Sequence, residues 1–200
     1  MIIGLTGGSG CGTTSVGKIL SAEGWGFIDC DAVYHKMLNT DAALKAELAE
    51  CFGEAILTQD GLVDRRALGR IVFASEKALA DLNRITHARI AEKVISLISE
   101  SDKLDIVIEA VELVDSGMDE LCTAVIAVLA ERETRLFRIM IRDAISKNDA
   151  ERRIDAQRSD GYYREHCDFC IENNGTFDEL KTKTLKLIEE IRHSRLNVSK

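Results

Sequence analysis

The chain has 200 residues, of which 46% are hydrophobic and 30% charged, enough for a soluble globular domain with a full core and one inserted subdomain. Its net charge of −8 argues against non-specific binding to nucleic acid or to an anionic membrane surface. The longest plain apolar run, "AVIAVLA" at 124–130, is far too short to span a bilayer. With no basic leader at the N-terminus, the expectation is a cytoplasmic protein without a signal peptide.

In chain order, "MIIGLT" reads as a short buried strand that runs into glycines, and a helix-compatible stretch follows from Thr13 to about Ala22. A second strand, "GFIDC", ends at Asp29 and Asp31. Helical patterns follow at 31–38 and at 41–52, the latter stopped by Gly53. Asp60-Gly61 marks a turn, Asp64 is the N-cap of the next helix, and a long helix is expected from Ser75 to about Glu100. Near-continuous apolar runs at 104–111 and 124–130 read as strands of a parallel sheet covered on both faces. A charged helix is expected at about 132–142 and another at 146–158, then a last strand in "DFCIEN". Thr176 to Glu179 is a capping box that opens the final helix, whose apolar spacing continues to about Leu196, with a fraying "NVSK" tail.

Strands that alternate with helices imply an α/β fold with a parallel sheet. The helical block from about 31 to 103 is long for a crossover, and its expected role is a substrate-binding insertion. The six cysteines, at 11, 30, 51, 122, 167 and 170, read as reduced thiols. Cys167 and Cys170 form a lone C-x-x-C beside His166, read as sulfur packed into a strand, with zinc or redox chemistry as the alternative.

The stretch "GLTGGSGCGTTS", residues 4–15, carries the chemistry. Gly7 and Gly12 stand at phosphate-loop spacing and Thr14 fills the last slot, but Thr13 takes the place of the usual lysine. In this context the backbone N–H groups of Gly8, Ser9, Gly10, Cys11, Gly12, Thr13 and Thr14 are expected to converge on phosphate oxygens at a helix N-terminus. Thr14 reads as a magnesium-holding hydroxyl or as an ordinary first-turn threonine. Asp31 is a general base or a helix cap; Glu109 is a magnesium-side carboxylate or a buried paired acid. Arg135, Arg138 and Arg142 recur at helical spacing, within a segment whose eight basic and five acidic residues give a local +3. Alone such a run reads as a solvated face; beside a phosphate loop it reads as a phosphate clamp. His87 reads as a helix-face or core histidine.

Several stretches together resemble the dephospho-CoA kinase family: "IIGLTGGSG", "FIDCDAVYHKML", "GLVDRRALGRIVF", "LNRITHARI", "SGMDEL", "RIMIRD", "RRIDAQ" and "DFCIENNGT". They lie in that family's order and run from residue 2 to 176. The resemblance implies a three-layer P-loop kinase fold with a parallel core sheet. Residues 1–30 and 104–200 would form the nucleotide-binding core, with a lid at about 142–160, and 31–103 a helical acceptor domain. It implies ATP and Mg²⁺ as cofactors, a small-molecule partner of the dephospho-CoA type, and no nucleic acid or membrane partner; it leaves the oligomeric state open. By position, Asp31 falls on the candidate base, Thr14 on the magnesium hydroxyl, and Arg142 and Arg153 on lid arginines, Arg142 with a catalytic role. Asn174 and Gly175 fall on the turn near adenine. Asp31, Arg65, His87 and Glu109 fall on the acceptor side. Three departures accompany the match: Thr13, the altered segment "EAVELVD" at 109–115, and Ala88 after "ITH". The competing readings are a nucleotide- or CoA-binding relative without useful transfer, and a kinase of this fold for another hydroxyl acceptor.

Overall fold

β-Branched side chains dominate the apolar runs at the N-terminus and near 106 and 124, and such residues suit a pleated surface packed on both sides. In the computed structural model, which describes residues 1–198, these runs become strands. They are β1 (Ile2–Thr6), β2 (Gly26–Asp29), β3 (Ile106–Glu109), β4 (Ala124–Leu129) and β5 (Phe169–Glu172). The sheet order is β2-β3-β1-β4-β5, and β1 pairs in parallel with both β3 and β4. Leu5 lies opposite Glu109 on one side and Ile126 on the other, so the carboxyl end of β3 reaches the level where the glycine loop leaves β1.

The helices, in chain order, are α1 (Thr13–Ala22), α2 (Cys30–Thr40), α3 (Ala42–Phe52), α4 (Arg65–Val72), α5 (Glu76–Glu100), α6 (Arg132–Asp143), α7 (Lys147–Asp155), α8 (Asp160–His166) and α9 (Phe177–Val198). Packing separates the chain into two compact units, 1–27 with 102–200, and 28–101. In the first, Val16, Ile19 and Leu20 of α1 and Leu180, Ile188 and Ile191 of α9 bury against Ile126 and Val128 of β4. Ala127 and Leu129, the alternate residues of the same strand, pack against Tyr163 of α8. The period-2 alternation of β4 thus serves two helical layers, one on each face. Leu136 and Ile139 of α6 meet Ala150 and Ile154 of α7 in a separate small cluster.

The second unit is mostly helical, and each of its four α-helices starts at a short polar side-chain cap. Asp29 accepts from Ala32, Asp41 from Leu44, Asp64 from Arg66 and Ala67, and Ser75 from Ala78. Leu44, Leu48, Leu68, Val72, Ile85 and Val94 form its buried faces. Arg89 of α5 joins Glu47 of α3 through Nε and Nη2, at 3.2 and 2.8 Å.

Three expectations are corrected. The helix expected at 146–158 is α7, which stops at Asp155, and a helix that was not expected, α8, follows from Asp160, where Ser159 accepts the Tyr162 N–H to cap its start. Asp31 does not cap its helix, because Asp29 does, and α2 already begins at Cys30. The last helix extends past Leu196 to Val198, and of the "NVSK" tail, residues 199–200 lie outside the described residues. The Thr176–Glu179 capping box forms in both directions, at 3.0 and 3.3 Å. No helix among the described residues is long and apolar enough to cross a membrane.

Cys167 closes α8 and Cys170 lies in β5, so the C-x-x-C pair straddles a helix end and a strand. Burial pushes the Cys167 and Cys122 thiols up to about 12, which suppresses the reactive thiolate at neutral pH. Cys51 is the exposed thiol. A thiol-titrating reagent at pH 8 should therefore modify one cysteine per chain rapidly, and Cys51→Ser should abolish that phase. Rapid modification of two or more thiols in the folded protein would contradict this picture.

Candidate functional site: a phosphate loop held from behind

The loop between β1 and α1 ends at Gly12, which caps α1 in the left-handed region at φ 98° with no side-chain cap bond. A β-carbon there would strike the Asn173 amide nitrogen, so glycine is required twice over. With no side chain capping it, the N-terminus of α1 leaves its first amides for an outside acceptor, and the helix dipole favours an anion. Asn173, which is buried, donates from Nδ2 to the Cys11 carbonyl at 2.7 Å and fixes this end of the loop.

The opposite side of the loop is gripped by Gln157 and Arg135. Gln157 Oε1 accepts the Ser9 N–H at 2.8 Å and its Nε2 donates to Ser9 Oγ at 3.1 Å. Arg135, 5% exposed, donates from Nε to the Ser9 carbonyl at 3.0 Å and from Nη2 to Gln157 Oε1 at 3.1 Å. Its guanidinium lies where a β-carbon on Gly8 would stand. Arg138 donates to the Gly10 carbonyl at 3.2 Å. The Cys11 N–H turns back to the Gly8 carbonyl at 3.1 Å. Of the amides from 8 to 14 expected to face phosphate, those of Ser9 and Cys11 are therefore committed within the protein. Gln157 and Asn173 escaped the sequence reading, although each lies in a stretch quoted for the family resemblance ("RRIDAQ", "DFCIENNGT").

On the open side, the Thr13 hydroxyl donates to Glu109 Oε1, and the Thr14 hydroxyl donates to the same oxygen at 2.8 Å. The register of β3 beside β1 brings this carboxylate to the start of α1. Glu109 is thus a half-buried, hydroxyl-bonded acid at the loop, and Thr13 engages a carboxylate where a lysine would carry charge. Lys18 is exposed on α1.

Arg142 and Arg153, the two arginines expected in a lid, meet on one carboxylate. Arg142 donates to Asp143 through Nε and Nη2 at 2.8 and 2.9 Å, and Arg153 binds the same group from α7. Arg142 and Arg153 together hold the Asp143 carboxyl at about 2. Farther along, Arg158 and the Tyr162 hydroxyl both donate to Asp115, in the altered 109–115 segment. Asn174 accepts the Glu131 N–H at 2.7 Å, and Gly175 follows it into the capping box of α9.

In the helical unit, Asp31 is exposed on the first turn of α2. Four residues on, His35 lines a cavity of about 170 Å³ with Tyr34, Leu38, Arg65, Leu68 and Phe73. Burial lowers the His35 pKa, the Arg65 charge lowers it further, and Asp31 and Asp29 act against both. The cavity therefore has an apolar floor and a guanidinium at its wall. His87 is half-buried on α5 and does not line it.

The dephospho-CoA kinase (CoaE) family model matches residues 1–179. A dephospho-CoA kinase of Corynebacterium glutamicum is 37% identical over 198 residues, covering 98% of each chain. The fold superimposes on TT1252 from Thermus thermophilus with a TM-score of 0.82 at 27% identity, over 95% of this chain and 97% of that one. It also matches the dephospho-CoA kinase from Campylobacter jejuni, with a TM-score of 0.68 at 26% identity over 97% and 98% of the two chains.

If the clamp behind the loop sets its shape, Gln157→Ala strips partners from Ser9 and Arg135 together, and unmet buried polar groups cost about 1–3 kcal/mol. ATP affinity should fall about tenfold or more, whereas Gln157→Glu, which keeps both acceptor roles, should lose less. Isothermal titration with ATP measures both, and equal affinity across the three proteins would dismiss the clamp.

Proposed function

The chain belongs to the dephospho-CoA kinase family, and on that premise we propose that it transfers the γ-phosphoryl group of ATP to the ribose 3′-hydroxyl of dephospho-CoA. The observation that carries this assignment is the helix start at Gly12, left without a side-chain cap, with the Thr13 and Thr14 hydroxyls converging on Glu109. We assign residues 1–30 and 104–200 to nucleotide binding, with the lid at about 142–160, and residues 31–103 to the acceptor.

In this reading the loop amides and the α1 dipole hold the β- and γ-phosphates of ATP. Asp31 takes the proton of the acceptor hydroxyl as its oxygen forms the bond to the γ-phosphorus. The bond from that phosphorus to the β,γ-bridging oxygen breaks, and ADP leaves with the electron pair. Arg142 and Arg153 bind the phosphoryl oxygens, and Asn174 and Gly175 form the turn beside adenine. Arg65 and His87 bind the acceptor. A hydroxyl and a carboxylate are hard oxygen donors, so Thr14 and Glu109 suit Mg²⁺. The ion would offset charge on the phosphate oxygens.

The test is ADP release from MgATP with and without dephospho-CoA. Turnover that depends on dephospho-CoA supports the assignment. ATP binding without ADP release under either condition would replace it with a binding protein, and turnover only with another alcohol would change the acceptor. Asp31→Asn should lower kcat roughly 10²-fold, the scale of general-base catalysis, with ATP affinity unchanged. Near-normal turnover in that variant would remove Asp31 from the chemistry.

A further inference from the structure

Phosphate loops of this spacing place a lysine ammonium on the β- and γ-oxygens, at the position that Thr13 fills here. Threonine carries no charge, and the Thr13 hydroxyl is engaged with Glu109. We propose that the missing positive charge is supplied by Arg135, from behind the loop.

Arg135 lies on α6, over one hundred residues from the loop in sequence, yet its side chain is 6% exposed against the loop backbone. Nε donates to Ser9 O, and the guanidinium occupies the space left by the absent Gly8 side chain. The cation therefore sits against the carbonyl side of the Ser9–Gly10 peptide, whose N–H belongs to the loop. The carboxylate nearest the guanidinium, Asp160, is 3.7 Å away and 45% exposed, so solvent screens it more than it screens Arg135. A guanidinium buried in this way exerts its field through protein rather than water. Its bond to Ser9 O also polarises the Ser9–Gly10 peptide, which leaves that unit's N–H more positive. Arg138, on the Gly10 carbonyl, adds a second positive group on the same side.

Arg135 is thus a positioning residue and an indirect source of charge; it does not touch the transferred group. The inference rests on the proposed binding of ATP phosphates in this loop. It makes a prediction that a purely structural role does not: a lysine at position 13 should substitute for Arg135.

Four proteins decide the matter: the wild type, Arg135→Gln, Thr13→Lys and the double variant, each measured for ATP affinity, kcat with dephospho-CoA, and Tm. Arg135→Gln should lower kcat/KM for ATP roughly 10²-fold, the scale of a lost preorganised electrostatic group. Thr13→Lys alone should give no gain, because a second cation enters a site already supplied with one. The double variant should recover at least tenfold over Arg135→Gln. The proposal falls if Arg135→Gln leaves kcat/KM unchanged, if Thr13→Lys alone raises it tenfold, or if the double variant shows no recovery at normal Tm. Where Arg135→Gln fails to fold, Arg135→Lys takes its place. It keeps the charge and breaks the fork to Gln157, so Tm should fall while ATP affinity holds within about threefold. Loss of ATP affinity in that variant in proportion to Tm would leave Arg135 a purely structural role. A wild type that binds neither ATP nor inorganic triphosphate would overturn the functional assignment and this proposal together; ATP binding without recovery overturns the proposal alone.

Discussion

The bond from Arg135 Nε to the Ser9 carbonyl ties α6 to the loop that follows β1, and the contacts of Gln157 with the loop are arranged around it. A buried guanidinium is tolerated only when its donors find acceptors, because desolvation penalises every one left unmade. Here Ser9 O and Gln157 Oε1 take Nε and Nη2, and Gln157 in turn accepts the Ser9 N–H. Each group in the cluster satisfies another, so removing any one exposes the rest to that penalty. The residues involved come from the loop, from α6 and from the turn between α7 and α8. The loop shape is therefore a property of the tertiary packing as well as of its own glycines.

This arrangement couples the fixed and the exposed parts of α6. Arg135, Arg138 and Arg142 do share one face of the helix, but they do not share one role. The first is buried on the loop and the second reaches the Gly10 carbonyl. The third, 58% exposed, pairs with Asp143 at the helix end, where Arg153 of α7 joins it. The Leu136–Ile139–Ala150–Ile154 cluster keeps α6 and α7 together, so the arginine pair on Asp143 is carried on the same helix whose other end grips the loop. The α6–α7 pair therefore has an anchored root on the loop and an exposed cationic tip at Asp143.

How much of this was legible in the sequence depends on the range of the interaction. Local chemistry was readable: α1 spans Thr13–Ala22 as its pattern indicates, Asp64 and Ser75 cap their helices, and Thr176 and Glu179 form their box. The parallel sheet followed from apolar runs without alternation. What stayed hidden were pairs joined only by folding, such as Ser9 with Gln157, Cys11 with Asn173, and Thr13 with Glu109, separated by 148, 162 and 96 residues. Nothing in the spacing of a glutamine at 157 indicates that it accepts an amide at 9. Helix α8 was missed because Asp160–His166 is too short for helical periodicity to show, and the Ser159 cap is only visible once the helix is there. The assignments of Arg65 and His87 rest on the family pattern, and that of Asp31 on the family pattern and its place after the second strand, since each is an exposed or half-buried side chain of the helical unit.

The proposed place of the positive charge also bears on how the reaction would be driven. A lysine on the open side of the loop is a point charge on a flexible stem, free to follow the transferring group. A guanidinium locked behind the loop cannot follow anything, so it needs no reorganisation as charge develops and acts as a constant field. In a loose phosphoryl-transfer transition state, charge builds on the oxygens of the departing diphosphate as its bond to the γ-phosphorus lengthens. In the proposed binding mode the loop amides would cradle those oxygens, so a fixed cation behind Ser9 would favour the leaving group. The γ-phosphoryl oxygens would then be left to Arg142 and Arg153, the proposed lid arginines. On this division of labour, Thr13 marks a transfer of charge from a mobile side chain to the fold itself, and Glu109 accepts the two hydroxyls at the start of α1.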